Sequence, residues 1–170
     1  VYFIKHNRYR FSTYNEVASH VYRNNDYMRK YMYGLALTSF LWPNHLQVFK
    51  FFRDKLPKDL KGNYLDIGPG HGMFMMEAMR LSSYINFWGI DISSASVEIT
   101  KNILNSGYFG QFKNCNIIHG DFLKWSINEK FDAIVMGDVL EHVENPCDFL
   151  NKVRNLSTIS SYIYISTAIN

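Results

Sequence analysis

The sequence predicts an α/β fold built on a parallel sheet, because from residue 63 onward short apolar runs alternate with stretches of helical period. Two further observations agree. Most of the runs end in glycine or aspartate, and the run over 131–136 is apolar apart from Asp132, which suits a strand buried on both faces.

The elements follow in order. Residues 64–67 form a first strand that ends in a glycine-rich turn, and a helix with four Met and one Phe runs over 72–81. A second strand, 86–90, ends at Asp91, and Ser93 or Ser94 caps a helix reaching about residue 106. A third strand, 116–119, leads into Gly120-Asp121-Phe122, and the fourth occupies 131–136. Asn145-Pro146 places a cap and then proline at the first helical position, starting a helix to about residue 156. The fifth strand is expected over 162–166. Residues 1–61 read as a separate helical region ahead of the 62–170 core. In it, Asn44 is the expected N-cap of a helix carrying Leu46, Phe49, Phe52 and Leu56 on one face. Upstream, Tyr27, Met28, Tyr31, Met32 and Leu35 repeat that spacing, with Gly34 as a weak point.

Composition narrows the class. At 170 residues, 47% hydrophobic and 19% charged, the chain suits one globular core. Cys115 and Cys147 fit neither a disulfide framework nor a C-x-x-C site, which points to a reducing, cytoplasmic setting. No apolar run approaches the roughly 20 residues of a membrane helix, and the opening residues lack a signal-peptide pattern, so no membrane partner is expected. Charge is uneven. Residues 1–62 hold 11 Lys and Arg against 4 Asp and Glu, a net of +7, whereas the rest nets −4. A basic, aromatic front half suits a cap over an acceptor, a nucleic-acid surface or a solvated helical face.

Chemistry concentrates after the first strand. Asp66-Ile67-Gly68-Pro69-Gly70-His71-Gly72 lies between a strand and a helix, where open α/β sheets bind ligands. Asp91 ends the next strand 19 residues past Gly72, where a carboxylate can take two ribose hydroxyls. Met73 stands where a dinucleotide fingerprint needs glycine. Asp66 would repel a pyrophosphate at a cost of about 1–4 kcal/mol, whereas a cationic ligand would be welcome.

The 66–72 segment resembles motif I of class I S-adenosylmethionine (SAM)-dependent methyltransferases. Asp91 resembles the acidic residue of motif II, and Gly120-Asp121-Phe122 the segment that contacts adenine. Asp138-Val139-Leu140-Glu141-His142-Val143, closed by Pro146, is similar to the post-strand-4 segment of the branch that includes ubiquinone-biosynthesis and other small-molecule methyltransferases. The resemblance implies a Rossmann-like, three-layer parallel sheet. It also implies SAM as cofactor, S-adenosylhomocysteine (SAH) as product and a small-molecule acceptor. Gly68, Pro69 and Gly70 would flank the methionine part, with Asp66 near its amino group. Asp91 would hold the ribose, Ile92 would lie on adenine, and Asp121 and Phe122 would meet the adenine edge. Asp138 and Val139 would close the cofactor side. Such proteins continue through two more strands, so a fragment ending at Asn170 is expected.

His142 titrates nearest neutral pH and is the first candidate for a catalytic base; packing beside the cofactor is the other role its position allows. Asp138, Glu141 and His142, at i, i+3 and i+4, would share one helical face. That spacing also resembles a metal-ligand pattern in some methyltransferases, but no metal is assigned. His71 is a cofactor-edge residue by position, and His45 is the weakest of the three histidines. An RNA or protein methyltransferase docking through its basic front, or a non-catalytic SAM-fold subunit, are the alternatives. Residues 14–56 are expected to lend aromatic side chains to the acceptor pocket as a helical lid.

Overall fold

A computed structural model describes His6 and residues 18–167. The start of the 1–61 region, including the first four residues of the expected 14–56 lid, lies outside the described residues, as does the 168–170 end. After a π-helical turn, Ala18–Tyr22, come α1 (Asn25–Leu41) and α2 (Pro43–Lys55), and then strands and helices alternate. They are β1 (Asn63–Ile67), α3 (Met73–Leu81), β2 (Asn86–Asp91), α4 (Ser94–Asn105), β3 (Cys115–His119), β4 (Phe131–Gly137), α5 (Pro146–Leu156) and β5 (Ser157–Ser166). All strand pairs are parallel, in the order β3-β2-β1-β4-β5. The chain reverses its direction of travel across the sheet between β1 and β4, so the carboxyl ends of these strands frame a crevice.

Side-chain alternation divides the core in two. Tyr64, Ala133 and Val135 join Met75 of α3, Val97 of α4 and Phe52 of α2 on one face. Leu65, Ile134 and Met136 join Phe149 and Val153 of α5 on the other. Helices therefore cover both faces, giving three layers. The α1 helix is anchored separately, with Met28 and Met32 buried against Ala95 and Ile99 of α4. Among the described residues, no helix is long and apolar enough to cross a membrane.

Three local expectations are corrected. The α2 helix begins at Pro43 behind Trp42, which makes no side-chain cap bond, so Asn44 lies inside the helix rather than capping it. Proline at the first helical position needs no N–H partner, and its fixed φ suits that place. Gly34 sits within an unbroken α1, whose flanking residues outweigh a single glycine. The fifth strand starts five residues early, at Ser157, because Ser157–Ser161 pairs and hydrogen-bonds beside Phe131 despite being polar.

The fully buried Phe52 packs edge-on against Phe74 (4.8 Å) and Tyr164 (5.2 Å), joining α2 to α3 and β5. Arg53 reinforces that joint by pairing at 2.6 Å with Glu77, a buried carboxylate on α3 that also takes Arg80 at 2.9 Å. Phe52→Ala is expected to cost about 3–5 kcal/mol, read as a lower midpoint in urea unfolding. A loss below about 1 kcal/mol would mean that α2 is not part of this core.

Candidate active site

The loop after β1 takes its shape from three glycines with positive φ, Gly68 (+70°), Gly70 (+59°) and Gly72 (+78°). A Cβ on Gly68 would meet Val139 Cγ2 at 2.7 Å, and one on Gly70 would meet Met32 Sδ at 3.2 Å. Side chains at either position would thus suffer both strain and crowding. The loop is pinned from several directions. The Gly68 amide donates to Ile90 O (2.8 Å), the Gly72 amide to Pro69 O (2.7 Å), and the buried Thr100 hydroxyl of α4 to Gly70 O (3.1 Å).

Two carboxylates stand at adjacent strand ends, and they differ in what they hold. Asp91 accepts from Ser93 N through Oδ1 (2.8 Å) and from Gly70 N through Oδ2 (3.1 Å). Burial pushes it up to about 6, while those two amides pull it down. Asp66 is 1% exposed, and its Oδ2 has no hydrogen-bond partner. Burial, and then the Asp91 carboxylate, push it up to about 8. The nearby Tyr64 hydroxyl eases that shift but makes no aligned hydrogen bond. A buried carboxylate with a free oxygen costs stability until a cation or donor arrives.

Next to the loop, His71 is buried, and its Nδ1 accepts from Met73 N (3.3 Å), so the proton sits on Nε2. Burial, with His45 nearby, lowers it to about 4 and keeps it neutral. Beyond β3, Asp121 closes a turn on itself. Its Oδ1 accepts from Leu123 N (2.9 Å) and its Oδ2 lies 3.6 Å from Lys124 Nζ. Phe122 is buried against Phe149 at 4.7 Å. Ile92 offers its carbonyl to His119 Nε2 at 3.1 Å.

The post-β4 segment differs from the expected helical turn. Asp138 has φ of +54°, and only Leu140–His142 form a short 3₁₀ turn. Asp138, Glu141 and His142 therefore do not share a helical face, because a left-handed residue breaks the helical progression. Asp138 accepts from Ser166 Oγ (3.3 Å), and Glu141 accepts from Thr167 Oγ1 (2.8 Å). No group of three or more His, Cys, Asp or Glu is placed to hold a metal among the described residues.

The N-terminal helices reach this end of the sheet. Besides Met32 at Gly70, Tyr22 meets the His142 ring edge-on at 5.9 Å. Tyr31 has its pKa raised by burial and by Asp138, with smaller effects from Tyr27 and Glu141. His45 contacts Thr38 Oγ1 through Nδ1 (3.0 Å), and that hydroxyl donates to Leu35 O (2.8 Å). The Thr38 proton is thereby occupied, so His45 Nδ1–H donates. Thr100 and Lys152 escaped the sequence reading. Only the position of Thr100 on the inner face of α4 could have marked it.

Glycine loop, paired acids and switch-point crevice together define a Rossmann-like domain with its ligand crevice at the carboxyl ends of the strands. A methyltransferase-domain family model matches residues 58–169, most of the chain. The chain belongs to the class I, SAM-dependent methyltransferase family. It is 31% identical over 106 residues to a ubiquinone biosynthesis O-methyltransferase of Glaesserella parasuis serovar 5 (strain SH0165), covering 61% of this chain and 44% of that protein. It is 45% identical over 73 residues to EEF1A lysine methyltransferase 2 of Danio rerio, covering 42% of this chain and 29% of the relative. The chain spans between 29% and 47% of the length of the curated relatives it matches. In fold it resembles DhpI in a complex with SAM and HEP (TM-score 0.62, 15% identity, covering 82% of this chain and 62% of that one). A SAM-dependent methyltransferase from Clostridium acetobutylicum ATCC 824 is similar too (TM-score 0.60, 17% identity, 78% and 55%).

The raised Asp66 fixes a pH dependence. Folded, it holds its proton up to about 8 against 3.8 in the unfolded chain, so the folded state binds more protons between those values. Stability of the ligand-free protein should therefore fall as pH rises through that window. Asp91 contributes only up to about 6. In Asp66→Asn the fall between pH 6 and 8 should flatten, measured by calorimetric unfolding. Equal slopes in both proteins over that range would remove the buried-carboxylate account.

Proposed function

We propose that this chain binds SAM in the crevice at the carboxyl ends of β1, β2 and β4. In the whole protein it serves methyl transfer to an oxygen, nitrogen or carbon of a small-molecule acceptor, leaving SAH. The observation that carries this reading is the buried, unpartnered Asp66 Oδ2 beside a loop kept open by Gly68 and Gly70. SAM brings an ammonium for that oxygen and supplies a methyl group on a cationic sulfur. Asp91 has lone pairs left on both oxygens for ribose hydroxyls, and Ile92 lies on adenine. Gly68, Pro69 and Gly70 flank the methionine part. Asp121 and Phe122 meet the adenine edge, and Asp138 and Val139 close the opposite wall. For an oxygen or nitrogen acceptor, His142 takes the proton.

Residues 1–61 then act as a cap over the 62–170 core, and the acceptor sits between α1 and the post-β4 segment. Tyr22, Tyr31 and Met32 already approach that space, which supports a partly aromatic, half-polar pocket. The small-molecule O-methyltransferases among the relatives favour this acceptor class. The match to a lysine methyltransferase favours a second reading, methylation of a protein side chain. Two free cysteines suit a reducing, cytoplasmic setting.

Two measurements test the proposal. Asp91→Ala should weaken SAH binding about ten- to a hundredfold in calorimetry, by removing charge-assisted hydrogen bonds. Unchanged affinity would sink the ribose assignment. With methyl-tritiated SAM, catechol and elongation factor 1A are offered separately to the full-length protein. Label in catechol supports the small-molecule reading, and label confined to the protein overturns it in favour of the second.

A further inference from the structure

The segment after β3 has no regular secondary structure of its own, yet a side chain from another element holds it. Lys152, on α5, donates through Nζ to Leu123 O (2.9 Å) and to Trp125 O. The same ammonium lies 5.2 Å from the centroid of the Phe122 ring, which packs on Phe149 one turn earlier in α5. The carbonyls it takes belong to the turn that Asp121 opens, where Asp121 O already accepts from Lys124 N and Trp125 N. One cation thus caps the turn, faces its aromatic residue and sits near its carboxylate. Lys152 is partly buried. A lysine used only for solvation would leave its ammonium in water.

We propose that Lys152 is a positioning residue for cofactor recognition, fixing the Asp121–Phe122 wall against which the adenine ring is read. This rests on the SAM reading above and adds to it the residue that sets base selectivity. Asp121 spends one oxygen on Leu123 N, and the other lies 3.6 Å from Lys124 Nζ of the same turn, so where it points depends on the turn keeping its shape. Without the Lys152 bonds, Leu123 and Trp125 lose their tether to α5, and the Asp121 oxygen is no longer held at the adenine amino group. The methionine and ribose ends, bound by the loops after β1 and β2, are untouched.

The test uses calorimetry with two ligands, SAH and S-inosylhomocysteine, whose ring carries a carbonyl in place of the adenine amino group. Wild type should prefer SAH, because a carboxylate accepts from an amino group and repels a carbonyl. Lys152→Met should lose about tenfold in SAH affinity and most of the preference between the two ligands, as expected when one well-placed charged hydrogen bond is lost. Lys152→Arg, which can still donate to both carbonyls, should retain the preference. If Lys152→Met does not fold, Lys152→Gln takes its place with a smaller loss expected. Unchanged SAH affinity, or an equal loss for both ligands, would overturn the inference, since a purely structural lysine lowers both together. If wild type binds neither ligand, the SAM reading itself fails, and this inference falls with it.

Discussion

A carboxylate sealed into the sheet with one oxygen unmatched is the constraint around which the rest of this molecule is arranged. Asp66 points from β1 toward the face covered by α3 and α4, flanked by Tyr64 and by the second acid, Asp91. Nearby donors are spent on Asp91, which receives the Gly70 and Ser93 amides, and none is aligned on Asp66 Oδ2. A fold selected for stability alone would not keep such a group, since an apolar residue there would remove the desolvation cost. The arrangement makes sense if the missing partner is a ligand that brings its own positive charge. Binding then recovers the cost that the empty protein bears.

Everything near Asp66 serves access to it. The glycines of the following loop draw the backbone away, while Thr100, Ile90 and the loop's own Pro69 carbonyl hold it rigid. Rigidity matters because a loop that must be ordered on binding gives up part of the interaction energy in doing so. His71, kept neutral by burial, adds no positive charge to compete with an incoming cation. The floor is therefore lined by two acids, Asp91 ionised and Asp66 ready to ionise beside a cation, while the rim adds no cation for a pyrophosphate.

The succession of strands and helices along the chain and the ligand loop were legible in the sequence because both depend on local signals. Apolar runs, glycines before a helix and an acid at a strand end are each visible within a few residues. Element ends were less legible where tertiary pairing overrode composition. Ser157–Ser161 is mostly polar and carries no strand signal of its own, yet its pairing and hydrogen bond beside Phe131 make it strand. The helical face expected of Asp138, Glu141 and His142 failed because spacing says nothing of a left-handed residue at the strand exit. Lys152 could not be found at all. An exposed-looking lysine in an amphipathic helix carries no sign that carbonyls from a loop about 27 residues away lie under it.

The basic front half looks different once its charges are placed. Arg29 pairs with Glu98 of α4 at 2.6 Å, and Arg53 with the buried Glu77 of α3. Each ties an N-terminal helix to the sheet layer, so part of the +7 excess serves attachment and is not presented outward. What α1 does present is apolar: Tyr33, Leu37, Phe40 and Leu41 are all more than half exposed. A phosphate backbone approaching that face would meet hydrocarbon and phenol instead of a stripe of cations, and nucleic-acid affinity comes chiefly from such cations. The inner side of the same helices supplies Met32 to the glycine loop and brings Tyr31 near Asp138. The paired arginines lower the basic excess of this layer without removing it, because Arg23, Lys30, Lys50, Lys55, Lys58 and Lys61 stay exposed around an apolar outer face.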